Sequence, residues 1–521
     1  MEQAYQHATL TRRQVVLLTT SLMLAIALAA LDALVVGTAM PTIVGSLGGL
    51  SLYSWLVSAY LLTSTATVPL YGRLADVYGR KPIFVLGVVV FVLGSALCGL
   101  ASSMTQLVVF RAVQGLGAGA VQPMAMTIIG DVFSVEQRAR MQGLFSSVWG
   151  VSSFVGPPLG ALIVSYLSWH WIFYVNVPVG LLALGLIFAA YRERVERHSR
   201  TVDVAGVALL AGGLAMLLFA LQETGLPGGL DGLGLGVLYV LALTLLGLFV
   251  WSQSRSADPT VPLPLLRRPI IGAGYLVGFL GGLTQFGVGT YLPLFVQGAM
   301  VGTALAVGTV MAPMSIGWPL GSIASGRLII RSGYKRVLTG GMATSALGAG
   351  CLILLRPGTP LPVLMGIAAL VGLGMGLSTT PVIIAIQNAV AWHQRGVATA
   401  LNQFSRTIGG VVGVALLGSL LNAGLSARVA GSPALAGSGS SASLASTLLD
   451  PVGRATLSGQ AVEVIRLALA ASLHDVYVVV GVAAVVGLVA TLVLFPGGSV
   501  GDHAREPVAR PEAAERTPGR R

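Results

Sequence analysis

The sequence predicts an all-α membrane protein with fourteen transmembrane helices, on three observations: its composition, its count of long apolar runs, and the placement of its cations. Of 521 residues, 55% are apolar and 9% charged, with a mean hydropathy of +0.85. Soluble domains carry about 25% charged residues, so this chain cannot clothe a water-facing surface. A cytosolic enzyme, a secreted domain and a nucleic-acid binder are excluded on that ground. Lys and Arg total 30 against 18 Asp and Glu, a net charge of +12. In a soluble protein that excess would point to nucleic acid, but here its distribution follows membrane topology. Cys98 and Cys351 both lie in apolar runs and give no disulfide framework.

A hydrocarbon core about 30 Å thick requires roughly 20 apolar residues in helix. Such runs fall at about 15–37, 51–71, 83–101, 106–130, 141–164, 172–191, 204–222, 232–251, 270–296, 302–325, 337–355, 362–387, 397–421 and 475–495. Arg12 and Arg13 precede the first run as in a signal peptide, but the run exceeds the usual h-region and reads as an uncleaved span. Placing the N-terminus in the cytoplasm puts 24 of the 30 cations on the cytoplasmic side, and loops 1–2, 3–4, 5–6, 7–8 and 9–10 then carry none. This positive-inside bias also supports an even helix count, with both termini cytoplasmic. The expected organisation is a cytoplasmic N-terminus (1–14), a six-helix half (15–191), loops with two inserted helices (192–269), and a second six-helix half (270–495) followed by a cytoplasmic tail (496–521). The second half contains an external segment, 422–474. Within it, 431–446 (GSPALAGSGSSASLAS) reads as flexible linker, and 460–475 as a short helix at the outer interface. The tail 498–521 is polar and reads as disordered.

GRLADVYGRKPIF at 72–84 returns in weakened form as GRLIIRSGYKRVL at 326–338, an offset of 254 residues. Both copies join adjacent spans on the cytoplasmic side. An inserted helix pair accounts for the offset, and parallel halves with a site between them form a transporter architecture.

Five segments carry a resemblance to a known family: LDALVVGTAMPTI (31–43), GRLADVYGRK (72–81), RAVQGLGAGA (111–120), GVSSFVGPPLG (150–160) and WHWIFYVNVPVG (169–180). Over nearly its whole length the chain resembles the major facilitator superfamily, specifically its fourteen-helix drug:proton antiporter family. The resemblance implies the major facilitator fold, two six-helix halves plus two inserted helices. It implies a proton-coupled multidrug exporter that moves amphipathic, cationic compounds out across the cytoplasmic membrane. A fourteen-helix exporter of lipids, lipid precursors or metabolites on the same scaffold is the alternative. The expected partners are the small-molecule cargo, protons and the lipid bilayer, with no nucleic acid, and the carrier is expected to be a monomer. No enzyme is expected: the chain offers no Ser/His/Asp arrangement, metal-ligand cluster or phosphate loop, and its six histidines are scattered over loops and ends. Neither metal nor cofactor is implied.

Among the acids, Asp32 alone sits well inside a span. A carboxylate there costs at least ~2.5 kcal/mol on insertion scales, so it must face a cavity or a partner. Such a group can hold a proton or a cationic cargo, one at a time, as exchange requires; a structural ion pair is the plainer role. Arg111, in a helix running the opposite way, is the natural partner. It either competes with cargo for Asp32 or snorkels to the outer headgroups. The family's loop motif supplies Gly72, Asp76, Gly79, Arg80 and Lys81, which the resemblance casts as a latch between the halves, with Asp131, Arg138 and Arg140 on the same side. Asp76 is expected just before the third helix, where its N-terminus favours a carboxylate. Ile330 replaces that acid in the second copy, so any latch there is weaker. Gly150, Gly156, Pro157, Pro158 and Gly160 form the antiporter motif, with prolines that bend the fifth helix. Gly115, Gly117 and Gly119 imitate a dinucleotide loop inside an apolar span and are discounted. In the second half Gln285, Phe286, Tyr291, Met311, Met314 and Trp318 are candidate cargo-lining residues, Met and aromatic faces being suited to varied apolar and cationic compounds. Gln387, Asn402, Gln403 and Arg406 are expected to hydrogen-bond helix to helix.

Overall fold

The computed structural model describes residues 11–133, 135–191, 193, 204–224, 230–256, 266, 268–390, 395–430 and 440–496. Its long helices are α1 (Arg12–Leu47), α2 (Tyr53–Tyr78), α3 (Arg80–Gly99), α4 (Met104–Val132), α5 (Val135–Tyr166), α6 (Trp171–Ala190), α7 (Val204–Glu223), α8 (Gly232–Arg255) and α9 (Pro269–Leu294). The run Ala304–Ile353 is broken at Gly333, whose φ of 76° and ψ of 168° are not helical; its arms are α10 and α11. Then come α12 (Leu361–Asn388), α13 (Arg395–Ala430) and α14 (Gly459–Leu494). Among the described residues, 11 helical runs are long and apolar enough to cross a bilayer. One of these contains both α10 and α11, and α2 and α7 complete the fourteen. The helix starts follow local chemistry. Thr11 and Gln14 form a capping box on α1, Ser103 caps α4, Asp231 caps α8 and Ser458 caps α14.

The internal repeat is visible in the backbone. Gly79 joins α2 to α3 with φ 95° and ψ 159°, and Gly333 joins α10 to α11 in nearly the same conformation. Both lie in a region open essentially to glycine alone. Each copy of the motif is therefore a one-residue hinge between two helices.

Three boundaries differ from the sequence expectation. α1 runs ten residues past Gly37, because Pro41 removes a single intrahelical donor and Gly37 faces α9, where a Cβ on it would stand 3.8 Å from the Gly289 carbonyl. The expected interfacial helix 460–475 is instead the first part of α14, continuous with its span. Of the expected linker, 431–439 lies outside the described residues, whereas Ser441–Leu449 is a helix with Leu444, Ala445, Leu448 and Leu449 buried. Ser440 caps it by accepting from the Ser443 backbone, and its leucines face the core.

One apolar core lies within the N-terminal half between α1, α3, α4 and α6, and another within the C-terminal half around α9, α11 and α12. A larger core joins the halves at the end of the bundle that holds loops 1–2 and 9–10, here the distal end. Polar bridges reinforce it. Tyr53 donates to the Thr290 carbonyl at 2.7 Å, Gln297 Nε2 to Thr42 Oγ1 at 2.8 Å, and Asn422 to the Ser51 carbonyl at 3.2 Å. The helix Ser441–Leu449 lies over this seam. Its Ser446 hydroxyl accepts from the Leu50 backbone, and a Cβ on Gly45 would meet the Leu449 carbonyl at 2.8 Å. Leu210, Leu214 and Leu218 of α7 share a cluster with α2 and α13, so the inserted pair packs across the seam between the halves.

Candidate functional site

Asp32 and Arg111 meet inside the N-terminal half. Arg111 Nη1 lies 2.6 Å from Asp32 Oδ2, and the two residues are 1% and 2% exposed. The partnership expected from their positions is thus realised as contact, and snorkelling is ruled out for Arg111. α1 continues fifteen residues beyond Asp32, so the acid lies well inside its helix.

The pair is the centre of a network that sequence reading missed. Gln114 stands three residues after Arg111 on the same helix face. Its Nε2 donates to Asp32 Oδ1 at 2.9 Å, while its Oε1 accepts from Arg111 at 2.7 Å and from the Cys98 thiol at 3.7 Å. Asn176 of α6 donates to the same Asp32 oxygen at 3.2 Å and to Ser95 Oγ at 2.9 Å. Ser95 in turn donates to the Phe173 carbonyl at 2.9 Å. Arg111 Nε reaches the Leu56 carbonyl at 3.3 Å, and its guanidinium lies 4.1 Å from the centre of the Tyr60 ring. Five helices therefore contribute to the setting of one carboxylate, and burial is tolerable because both Asp32 oxygens have donors. Uncharged amides in an apolar helix read as packing, so the available signal was the i, i+3 spacing of Gln114 from Arg111.

Close helix approach builds this network. A Cβ on Gly115 or Gly119 would collide with Thr63 or Thr67 of α2, and one on Gly117 with α3 at Phe91. The glycines of RAVQGLGAGA let three helices touch, as small residues do in membrane packing.

The antiporter motif joins α5 to both halves. A Cβ on Gly156 would meet Leu34 at 2.9 Å, and one on Gly160 would strike Thr38, so these glycines seat α5 on α1. On its other side Pro157 offers its carbonyl 3.1 Å from the Cβ position of Gly308 on α10. Pro157 and Pro158 lack amide hydrogens, so two consecutive carbonyls one turn earlier have no helical donor. Gly150 is also in α5, with open space beside its Cβ position.

At the hinge between α2 and α3, Asp76 falls within the last turn of α2, just ahead of Arg80 at the start of α3. The Glu193 carboxylate meets the N-terminus of α3: it accepts from the Arg80 backbone at 2.7 Å and the Lys81 backbone at 2.8 Å. Lys81 Nζ donates to the Tyr191 carbonyl and lies 5.2 Å from the Phe188 ring centre. These contacts tie the hinge to the end of α6 in its own half. Gly72 has open space beside its Cβ position. Asp131 lies in α4 and Arg138 in α5; their side chains and those of Asp76 and Arg140 lie outside the described residues.

In the C-terminal half a small cavity opens between α9, α12 and α13. Gln285 and Arg406 line it, and Gln285 Oε1 and Arg406 Nη1 are enclosed without a hydrogen-bond partner. Arg406 also donates to Gln403 at 3.0 Å and lies 5.3 Å from the Trp318 ring centre. Its expected helix-to-helix hydrogen bond is not made, whereas Asn402 does bridge helices, donating to the Gly274 carbonyl at 3.1 Å. Gln387 reaches Thr399 at 3.1 Å. Tyr291 is fully enclosed in the distal core, 6.0 Å from the Tyr53 ring, and donates to the Val414 carbonyl at 2.8 Å. Phe286 packs on Gly410 of α13, and Met311 and Met314 are buried in the distal core. Among the described residues there is no group of acids, histidines and cysteines fit to hold a metal.

The sequence profile of the Major Facilitator Superfamily matches residues 22–414. Over 407 residues the chain is 40% identical to the multidrug transporter protein MdtP of Bacillus subtilis (strain 168), covering 78% of this chain and 75% of that one. Multidrug resistance protein 3 of the same organism is 34% identical over 400 residues, 77% of this chain and 78% of its own. A fungal relative, efflux pump dotC of Dothistroma septosporum, is 31% identical and covers 76% of this chain and 69% of its own. Among solved structures, a bacterial homologue of the human lysosomal transporter Spinster, inward-facing and unoccupied, superposes with a TM-score of 0.64 at 17% identity, over 93% of this chain and 98% of that chain.

Proposed function

The chain belongs to the major facilitator superfamily, a family of transporters and not of enzymes, and from that premise we propose that it is a proton-coupled exporter of amphipathic drugs or metabolites, cationic ones included. The observation that carries this reading is the buried Asp32–Arg111 pair and the way its surroundings tolerate a proton. When Asp32 is protonated, Arg111 keeps the Gln114 and Leu56 oxygens and the Tyr60 face. The cation is not orphaned, so the acid can cycle between charged and neutral at a cost smaller than that of breaking an isolated buried pair. Relatives that carry multidrug and efflux names support the cargo class.

The cation bias of the loops supports a cytoplasmic placement of both termini. The distal end, where the halves are bridged, is then external, and the conformation is closed to the outside. In the outward-open state an external proton reaches Asp32 and cargo leaves. The protonated carrier turns inward, loses its proton to the cytoplasm and binds cargo again. Arg111 competes for the carboxylate and tunes its proton affinity. The hinge at Gly79, with Asp76, Arg80, Lys81, Asp131 and Arg138, latches the outward-open state, and the α5 motif carries the movement between α1 and α10. The pair and the cavity lie within one chain, and the carrier works as a monomer.

One intramembrane acid gives one proton per cycle. Exchange with a monovalent cation is then electroneutral, whereas each net charge moved would gain about 2.3 kcal/mol per 100 mV. Uptake of a monovalent fluorescent cation into inverted vesicles should follow an imposed pH gradient and ignore an imposed voltage. Uptake driven by voltage alone would overturn the stoichiometry, and full uphill transport by Asp32→Asn would overturn the coupling role.

A further inference from the structure

Resting on the export reading above, we infer that the C-terminal half holds a docking site for a carboxylate on the cargo, built on Arg406 and Gln285. Among the described residues Arg406 is the one ionisable residue lining the cavity between α9, α12 and α13. Its guanidinium is partly engaged, Nη2 by Gln403 at 3.0 Å and its face by Trp318, while Nη1 is enclosed and has no acceptor. An unpaired cation inside a membrane span is costly unless something pairs with it, and it marks a functional site by default.

None of the polar side chains of the lining accepts from Nη1. The Ser378 and Thr379 hydroxyls donate back to the Met375 carbonyl at 3.1 and 2.8 Å, and the Asn402 amide donates to the Gly274 carbonyl. Among the described residues no acid lines the cavity. The missing partner of Nη1 is an oxygen acceptor, and a carboxylate matches the guanidinium in charge and planar geometry. Gln285 Oε1 is the complementary gap, an enclosed acceptor without a donor. A cargo carrying a carboxylate beside an N–H or O–H group fills both. Met375, Val277 and Val382 flank the two polar groups with apolar surface.

The site is rigidly placed. A Cβ on Gly282 would collide with the Arg406 carbonyl, and one on Gly409 with the Phe279 carbonyl, so α9 and α13 touch backbone to backbone at the arginine and one turn beyond it. Little conformational freedom remains to be lost when an anion docks. The site adds carboxylate-bearing and zwitterionic compounds to the cargo range, and a cargo whose only charge is positive gains nothing from it.

Rhodamine B and its ethyl ester differ by one free carboxylate and provide the test. Binding of each dye to the purified full-length protein in detergent is read by fluorescence polarisation, and each variant is checked for an unchanged elution profile and Tm. The wild type should bind the acid, and Arg406→Gln should weaken that binding at least tenfold while shifting the ester less than twofold. Arg406→Lys should restore part of the acid binding. Gln285→Glu, which places a carboxylate in the same cavity, should reverse the preference towards the ester. Equal weakening of both dyes by Arg406→Gln, or no loss of acid binding, would overturn the site. Retained carboxylate selectivity without movement of dye in vesicles would count against the export reading alone.

Discussion

Arg111 in the N-terminal half touches the Asp32 carboxylate, the Gln114 amide oxygen, the Leu56 carbonyl and the Tyr60 ring. Arg406 in the C-terminal half touches Gln403 and Trp318 and holds one enclosed nitrogen with nothing to donate to. Both are arginines in the body of a membrane helix, yet one is saturated by its own chain and the other faces a cavity. A saturated pair is silent towards a ligand until a proton or a movement breaks it. An unsaturated cation is ready for a ligand at once and needs no rearrangement of the protein. The difference separates two tasks that a single buried charge performs poorly together, storing a proton and recognising a cargo.

The contrast breaks most visibly at the N-terminal pair. Arg111→Gln leaves the Asp32 carboxylate uncompensated and should cost roughly 3–5 kcal/mol of stability, whereas Asp32→Asn, where Arg111 keeps the Gln114 and Leu56 oxygens and the Tyr60 face, should cost less, both read as a drop in Tm of the purified protein. The double variant Asp32→Asn with Arg111→Gln should recover most of that loss without recovering transport. Recovery of both would make the pair purely structural. The two hinges come next. Gly79→Ala and Gly333→Ala each place a Cβ on a backbone conformation that costs about 1–3 kcal/mol outside glycine. Similar losses in thermal unfolding would confirm that the two copies of the motif are mechanically alike, and a free substitution at either would show that its turn relaxes. Glu193→Ala should cost less, about 1 kcal/mol, since it removes an anion from the first turn of α3. The smallest effect belongs to Arg406→Gln, which should change stability by under about 1 kcal/mol and in the stabilising direction, because it removes a charge that has no partner. A loss as large as that of Arg111→Gln would erase the comparison between the halves.

Much of this organisation was legible beforehand, for definite reasons. Hydrophobic runs of membrane length report spans directly, so fourteen helices appear close to their expected places. Intramembrane charge is rare, so Asp32 and Arg111 could be paired from their positions alone. The repeat placed Gly79 and Gly333 in equivalent positions, and their shared backbone conformation follows. What could not be read depends on tertiary contact. Gln114, Asn176 and Ser95 are unremarkable residues until three helices bring them to one carboxylate. Pro41 and Gly37 signal a helix end in water, yet in a packed bundle α1 passes through both. The Ser/Ala composition of 441–446 suggests a linker, but LASTLL supplies leucines that bury once a core is beside them. An aromatic ring suits a ligand and a helix interface equally, so residue type alone does not place Tyr291. In this conformation it is enclosed beside Tyr53.

The helix Ser441–Leu449 belongs by sequence to the connection between α13 and α14, yet it rests on α1 and on the turn before α2. It thus behaves as a bolt fixed to one door leaf and seated in the other. Parting the leaves at this end means drawing the bolt, with the buried Leu444, Leu448 and Leu449 meeting solvent. A short peptide outside the central helices thus adds an apolar cost to any opening there.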